Sequence, residues 1–208
     1  MKREERKQQM RHRIMEQALK EFTEQGYECS SVNRICDPKL NISKGIIYHY
    51  FGSKEELYLA CVDETFDHLR QYILAHFPGR EENADLPDKL SRYFAVRTDF
   101  FRQRPLYRKI FCEAVMAPPK QLREKIDALR EPLKQTNIVL MEEMLKGEAL
   151  RVDFSPAELA DWIVRLTGFF DAQTEADSSD IGAHERQNQL LLDVLFYGIL
   201  ARGDGKNG

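Results

Sequence analysis

The sequence predicts an all-α protein of about nine helices, with three short helices at the amino-terminal end and longer ones behind them. Three observations carry this. Leu (22 residues) outnumbers Ile and Val together (20). No stretch sustains the polar/apolar alternation of a strand. Apolar residues recur instead at helical spacing, beginning with Ile14, Ala18 and Phe22, with Met15 and Leu19 beside them. The 208 residues amount to one large domain or two small ones, and 42% apolar with 31% charged residues is an ordinary globular composition. That composition excludes wholesale disorder. No apolar run reaches 18 residues, so no membrane span is expected. The opening MKREERKQQMRHR has no apolar stretch behind it, so no secretory signal is expected and the cytoplasm is the expected compartment.

Each element has its own signal. The Ile14 stripe makes the first helix, and Gly26 supplies its stop. Ser31 caps a short second helix and Ser43 a third. Ser53-Lys54-Glu55-Glu56 has the S-x-x-E form of a capping box. The fourth helix follows it through Leu57, Cys61, Phe66, Leu69 and Ile73 and ends near Pro78-Gly79. Further helices are expected over 88–103, 106–116 and 119–146, separated by Pro105 and opened by Pro118-Pro119. Pro132 lies inside the third of these, which should kink or divide there. Ser155-Pro156-Ala157-Glu158 is a second capping box for a helix to about residue 176. A final helix is expected over 184–202.

Charge is unevenly spread. Residues 1–54 hold eleven Lys/Arg against seven Asp/Glu, a net of +4, which leaves −7 on the remainder of a chain whose net charge is −3. A basic module on an acidic body suits a polyanion partner. The four cysteines, at 29, 36, 61 and 112, lack metal-ligand spacing and read as small buried apolar groups. No GxSxG, HExxH, GxGxxG or GxxxxGK[ST] motif is present, so no enzymatic activity and no cofactor or metal is expected. Glu64 and His68, four apart, could make half a metal site but have no third ligand.

Residues 31–51, SVNRICDPKLNISKGIIYHYF, read as a helix, a tight turn and a second short helix. Ile35, Ile47 and Phe51 recur at core spacing. The second helix displays Ser43, Lys44, Gly45, Ile46, Tyr48 and His49. Lys44, His49 and the Tyr48 hydroxyl can donate to phosphate, and Gly45 lets a backbone approach closely. A helix-turn-helix presents such a helix to the major groove of DNA.

The longer string ISKGIIYHYFGSKEEL, with Ile14, Ala18, Phe22, Gly26 and Tyr27 before it and Ser31, Val32 and Ile35 in the second helix, resembles the signature of the tetracycline-repressor family of bacterial transcriptional regulators. The resemblance covers about residues 10–60. It implies a helix-turn-helix DNA-binding domain over 1–52 and an effector-binding and dimerisation domain over 53–208. It implies that Ser31 and Asn33 approach DNA from the second helix. It further implies that Ser43, Lys44, Gly45, Ile46, Tyr48, His49 and Tyr50 contact DNA from the third, and Lys54 a phosphate from the fourth. Members usually repress as homodimers on near-palindromic double-stranded operators and release them when a small molecule binds. One departure stands out. Cys36-Asp37-Pro38-Lys39-Leu40-Asn41-Ile42 is one residue longer than the family's usual turn. Pro38 should end the second helix near Asp37, and Asn41 should take the left-handed conformation usually given to Gly.

Two further sets belong to the body. Trp162, Leu166, Phe169 and Phe170, with Leu191, Val194, Leu195, Gly198 and Ile199 of the nearly all-apolar run 190–200, make surfaces too broad for a helix with one solvated face. With the resemblance, they imply a four-helix dimer interface; a monomer core is the plainer alternative. Phe66, Phe101, Tyr107, Phe111 and Met141 lie among aromatic and Met-rich helices where the family binds a largely apolar effector. Ordinary packing is the plainer reading of them. The competing functions are a helical interaction or scaffold protein without DNA binding and, less favoured, a small helical enzyme. Under the DNA-binding reading, Lys44→Ala or Tyr48→Phe should weaken operator binding by about 1–2 kcal/mol, the scale of one charged or polar contact. Titration of a labelled duplex checks this, and unchanged affinity for both variants would refute it.

Overall fold

The computed structural model describes residues 3–77, 85–148, 155, 157–159 and 161–162. Among them are seven α-helices: α1 (Arg3–Cys29), α2 (Val32–Ile35), α3 (Lys44–Phe51), α4 (Lys54–His76), α5 (Leu86–Gln103), α6 (Pro105–Met116) and α7 (Arg123–Leu145). Short 3-10 turns occupy Pro38–Leu40 and Lys120–Leu122, and residues 157–159 and 161–162 are helical as well. No strand occurs among the described residues, so the all-α expectation holds. The expected helices beyond residue 162 lie outside the described residues.

The expected caps form. Ser31 Oγ accepts from the Asn33 N–H at 3.3 Å, Ser43 Oγ from Ile46 N–H at 3.3 Å, and Ser53 Oγ from Glu56 N–H at 3.0 Å. The second capping box is reciprocal: Glu158 N–H donates to Ser155 Oγ at 3.2 Å, and Ser155 N–H to Glu158 Oε2 at 3.0 Å. That backbone bond leads the causes that draw the Glu158 carboxyl below its usual range. Each cap satisfies N–H groups that a helix start leaves without intrahelical partners.

Two sequence expectations need correction. Of the kink or division expected at Pro132, division does not occur: α7 runs from Arg123 to Leu145 as one helix with Pro132 inside it. Proline costs an interior helix one hydrogen bond, and here the helix carries on; the Pro132 carbonyl accepts from Thr136 Oγ at 3.0 Å. The cysteines are not uniformly buried: Cys61 and Cys112 are, but Cys36 is half-buried and Cys29 exposed. Cys29 closes α1 on its solvent side, where a small residue need not face the core.

The chain divides into two compact units. One comprises the residues up to His68 with Phe101–Glu131, and the other Leu69–Phe100 with the described residues from Pro132 onward. The second unit buries Leu69, Ile73, Leu90, Tyr93, Leu133, Met141 and Met144. Phe77 packs edge-on against Tyr93, ring centroids 5.7 Å apart. The buried Arg97 donates to the Tyr93 hydroxyl at 3.2 Å.

In the first unit, α6 packs along α1. Ile14, Ala18, Phe22, Ile35, Ile47, Phe51 and Leu57 form its core. Gly26 interrupts α1 with φ 69° and ψ 168°, backbone that only glycine adopts readily. The N–H after the break, that of Tyr27, donates to Glu113 Oε1 of α6 at 2.9 Å. The same carboxylate accepts from the Tyr58 hydroxyl of α4 at 3.1 Å. Phe22, Tyr27 and Tyr58 stack around this point, with Tyr58 5.1 Å from Phe22 and 4.8 Å from Tyr27. Burial first, then the Glu113 charge, holds the Tyr58 phenol well above its ordinary range. Glu113→Ala should strand the Tyr58 hydroxyl and the Tyr27 N–H and cost about 2–3 kcal/mol. Urea denaturation checks this, and an unshifted midpoint would show that the carboxylate is dispensable to the fold.

Candidate nucleic-acid interface

α3 has eight residues, too few for a helix to persist alone in water. It is held by its buried side. Ile47 and Phe51, four apart, are buried, and the Arg11 guanidinium of α1 lies 5.1 Å from the Phe51 ring centroid. Helical geometry then places Gly45 and His49 on the far side and Tyr48 at its flank, with Lys44 in the first turn. Lys44, Gly45, Tyr48 and His49 are all exposed, Tyr48 by 39%. The Lys44 ammonium sits 5.9 Å over the Tyr48 ring. Ser43 is exposed at the cap, while Ile46 and Tyr50 are half-buried at the edges of the face. The free N–H groups and positive dipole end of α3 point the same way as its cap.

The turn before α3 accounts for the extra residue. Cys36 takes an extended conformation and ends α2. Asp37 and Ile42 exchange both backbone hydrogen bonds at 2.9 Å, pinching off the intervening loop. Inside it Asp37 Oδ1 accepts from the Lys39 N–H at 2.8 Å, and Asn41 adopts φ 56°, ψ 35°, the left-handed conformation expected of it. The longer turn is thus a closed loop that leads into Ser43 and α3. Sequence spacing alone does not single out Lys39, which the loop leaves exposed beside the start of α3.

α2 is oriented by a different device. Glu21 of α1, only 7% exposed, accepts from Ser31 N–H at 2.8 Å and from Arg34 Nε at 2.7 Å. Asn33 is exposed, whereas Ser31 is half-buried with its hydroxyl engaged as the α2 cap. Lys54 is also engaged. Its ammonium donates to the Ser30 carbonyl at 2.9 Å and lies 4.6 Å over the Tyr27 ring. A lysine there stabilises the carbonyl-rich end of α1, a role the sequence did not suggest.

Gly45 is informative because the fold does not require it. Its φ is not positive, and a Cβ built on it would meet nothing within 4 Å. A glycine inside a helix costs roughly 0.5–1 kcal/mol relative to alanine, and contacts within the chain do not account for it.

The other expected sets are placed as follows. Phe66, Phe101 and Phe111 meet in the first unit, with Phe111 5.8 Å from Phe66 and 5.0 Å from Phe101. Tyr107 joins them and donates to Glu64 Oε1 at 2.7 Å. Glu64 and His68 therefore serve Tyr107, whose ring lies 5.4 Å from His68, and the described residues contain no cluster fit to hold a metal. Met141 is buried in the second unit. Trp162 is 58% exposed. Leu166, Phe169, Phe170, Leu191, Val194, Leu195, Gly198 and Ile199 lie outside the described residues.

A short helix docked by two apolar residues, presenting a cationic and aromatic face after a capped turn, defines a helix-turn-helix DNA-binding protein. Residues 14–61 match the model of bacterial regulatory proteins of the tetR family. Over those residues the chain is similar to that family. It is 23% identical over 137 residues to the Staphylococcus epidermidis biofilm operon icaADBC HTH-type negative transcriptional regulator IcaR, covering 66% of this chain and 68% of that protein. It is 43% identical to the Corynebacterium efficiens HTH-type transcriptional repressor AcnR over 54 residues, 26% of this chain and 28% of that one. The fold matches that of the transcriptional regulator FadR from Bacillus subtilis, solved in complex with stearoyl-CoA, with a TM-score of 0.72 at 17% identity, over 90% of this chain and 98% of that one.

Gly45→Ala should raise the stability of the fold by about 0.5–1 kcal/mol while weakening duplex binding. Melting and binding measured on one preparation separate the effects, and a variant that binds as well as the parent would remove Gly45 from the interface.

Proposed function

We propose that the chain is a sequence-specific repressor of transcription. As a homodimer it binds a near-palindromic double-stranded operator in the cytoplasm, and a small, largely apolar effector releases it. Residues 1–52 bind DNA and 53–208 bind effector and dimerise. The observation that carries this is the outward face of α3, with Lys44, Tyr48 and His49 exposed and Gly45 bare where the fold has no use for a glycine. Ser43, Ile46 and Tyr50 complete that face. Asn33 adds a contact from α2, with Ser31 and Lys54 chiefly positioning the module.

The repressor sense is supported by the relatives, which are named as negative regulators or repressors. No helix among the described residues is long and apolar enough to cross a membrane. The dimer is supported by Trp162, a large apolar side chain left exposed in the single chain, and by the apolar run 190–200. A two-fold axis would pair two α3 helices with two half-sites about one helical turn of DNA apart. The aromatic group of Phe66, Phe101, Tyr107 and Phe111 supports an apolar effector. The stearoyl-CoA held by the FadR neighbour is in keeping with one. Similarity to a family of regulators favours this over catalysis, and the exposed α3 face favours it over a scaffold that has lost DNA.

Selection of bound sequences from random DNA tests the central reading. It should return a two-fold sequence whose affinity falls steeply with salt, and enrichment of no sequence would refute it. Sedimentation at micromolar concentration should show a dimer, and a clean monomer would refute the symmetric arrangement.

A further inference from the structure

We infer that the amino-terminal arm of α1 is a second DNA-binding element, gripping backbone phosphates that flank the sequence read by α3. The inference rests on the DNA-binding reading above and adds residues that neither the helix-turn-helix nor the family match contains, since that match begins at residue 14.

The charge of the module is the first ground. Residues 1–13 hold six Lys/Arg against two Glu, a net of +4, whereas residues 14–54 hold five of each sign and are neutral. The entire positive excess of the basic quarter therefore lies ahead of the helix-turn-helix. A protein's general attraction to DNA comes from cations that displace condensed counterions. The neutral module has few to offer, since Arg34 is paired with Glu21 and Lys54 is bound to carbonyls.

The second ground is geometry. α1 starts at Arg3, and its residues 4–9 and 11–13 are exposed, so about three turns project before the core begins at Ile14. At 1.5 Å per residue this arm is roughly 15 Å long, enough to run beside several phosphates of a duplex that carries one charge per about 1.7 Å. Arg6 and Arg13, seven apart, share a face with Lys7 beside it. Glu5, His12 and Glu16 take another, where His12 and Glu16 pair at 3.5 Å. Lys7 stands one turn outward from Arg11, and Arg11 covers Phe51 of α3. The arm is thus rooted beside the helix that carries Lys44 and Tyr48, which favours DNA over an acidic protein as its occupant.

The test uses the full chain carrying R6Q/K7Q/R13Q, with Arg11 left in place because it covers Phe51. The probes are duplexes selected from random DNA by the unsubstituted chain, extended by a helical turn on each side, and a shuffled duplex of equal length. Affinity for both should fall on the order of tenfold or more at about 0.1 M salt, and the slope of log affinity against log salt should flatten by about 2–3 per chain. The preference for selected over shuffled DNA and the melting temperature should stay unchanged, and R6K/R13K should bind like the parent. Unchanged affinity and slope in the triple variant, alongside weakened binding by Lys44→Ala, would overturn the arm and leave the reading of α3 intact. Indifference to both sets of substitutions would overturn the two together.

Discussion

The burial of Ile47 and Phe51 is the constraint from which the rest of the interface follows. An eight-residue helix pays for its order through tertiary packing, because its own backbone bonds do not cover the cost of nucleation. Two apolar side chains four apart fix both its position and its rotation. Rotation is the important part. Once residues 47 and 51 face inward, residues 44, 45, 48 and 49 have no choice of direction. The chemistry of the exposed face is therefore written by the core, and a change that rotated α3 would alter every presented donor at once.

The same logic explains how the module accepts a longer turn. An extra residue between two packed helices ordinarily shifts the second helix along its axis or around it. Here the bridge between Asp37 and Ile42 closes the loop on itself, so the chain enters and leaves at nearly the same place. Ile42, buried to 2%, anchors the exit. The left-handed Asn41 is the residue that makes the closure sterically possible, a conformation asparagine tolerates better than most residues.

Much of this was legible in the sequence because it rests on local rules. Ser31, Ser43, Ser53 and Ser155 cap because a hydroxyl next to a helix start meets a free N–H two or three residues on. Pro38 and Asn41 behave as their backbones require. The apolar spacing of Ile14, Ala18 and Phe22 identified a core face directly. What escaped were links between residues distant in the chain. Glu113 meets Tyr27 across 86 residues and Tyr58 across 55, and no periodicity marks it among the chain's many acidic side chains. The resemblance implies a phosphate contact for Lys54; that the broken end of α1 lies within its reach is a tertiary fact. At Pro132 the local rule left a kink or a division open, and the surrounding helix excludes the division.

Those distant links converge on one point, the break at Gly26. A continuous α1 would satisfy its own N–H and carbonyl groups and leave Glu113 and Lys54 without these partners. The positive φ at Gly26 turns the following residues off the helix axis. Glu113 takes the Tyr27 N–H, and Lys54 takes the carbonyl of Ser30. A carboxylate and an ammonium thus hold the two ends of one short segment, and that segment leads into Ser31, the cap of α2. Because Tyr58 shares the Glu113 carboxylate, α4 and α6 are tied to the same place. The orientation of the helix-turn-helix within its unit is consequently set by a handful of polar groups around one glycine, over the apolar packing that keeps the helices together.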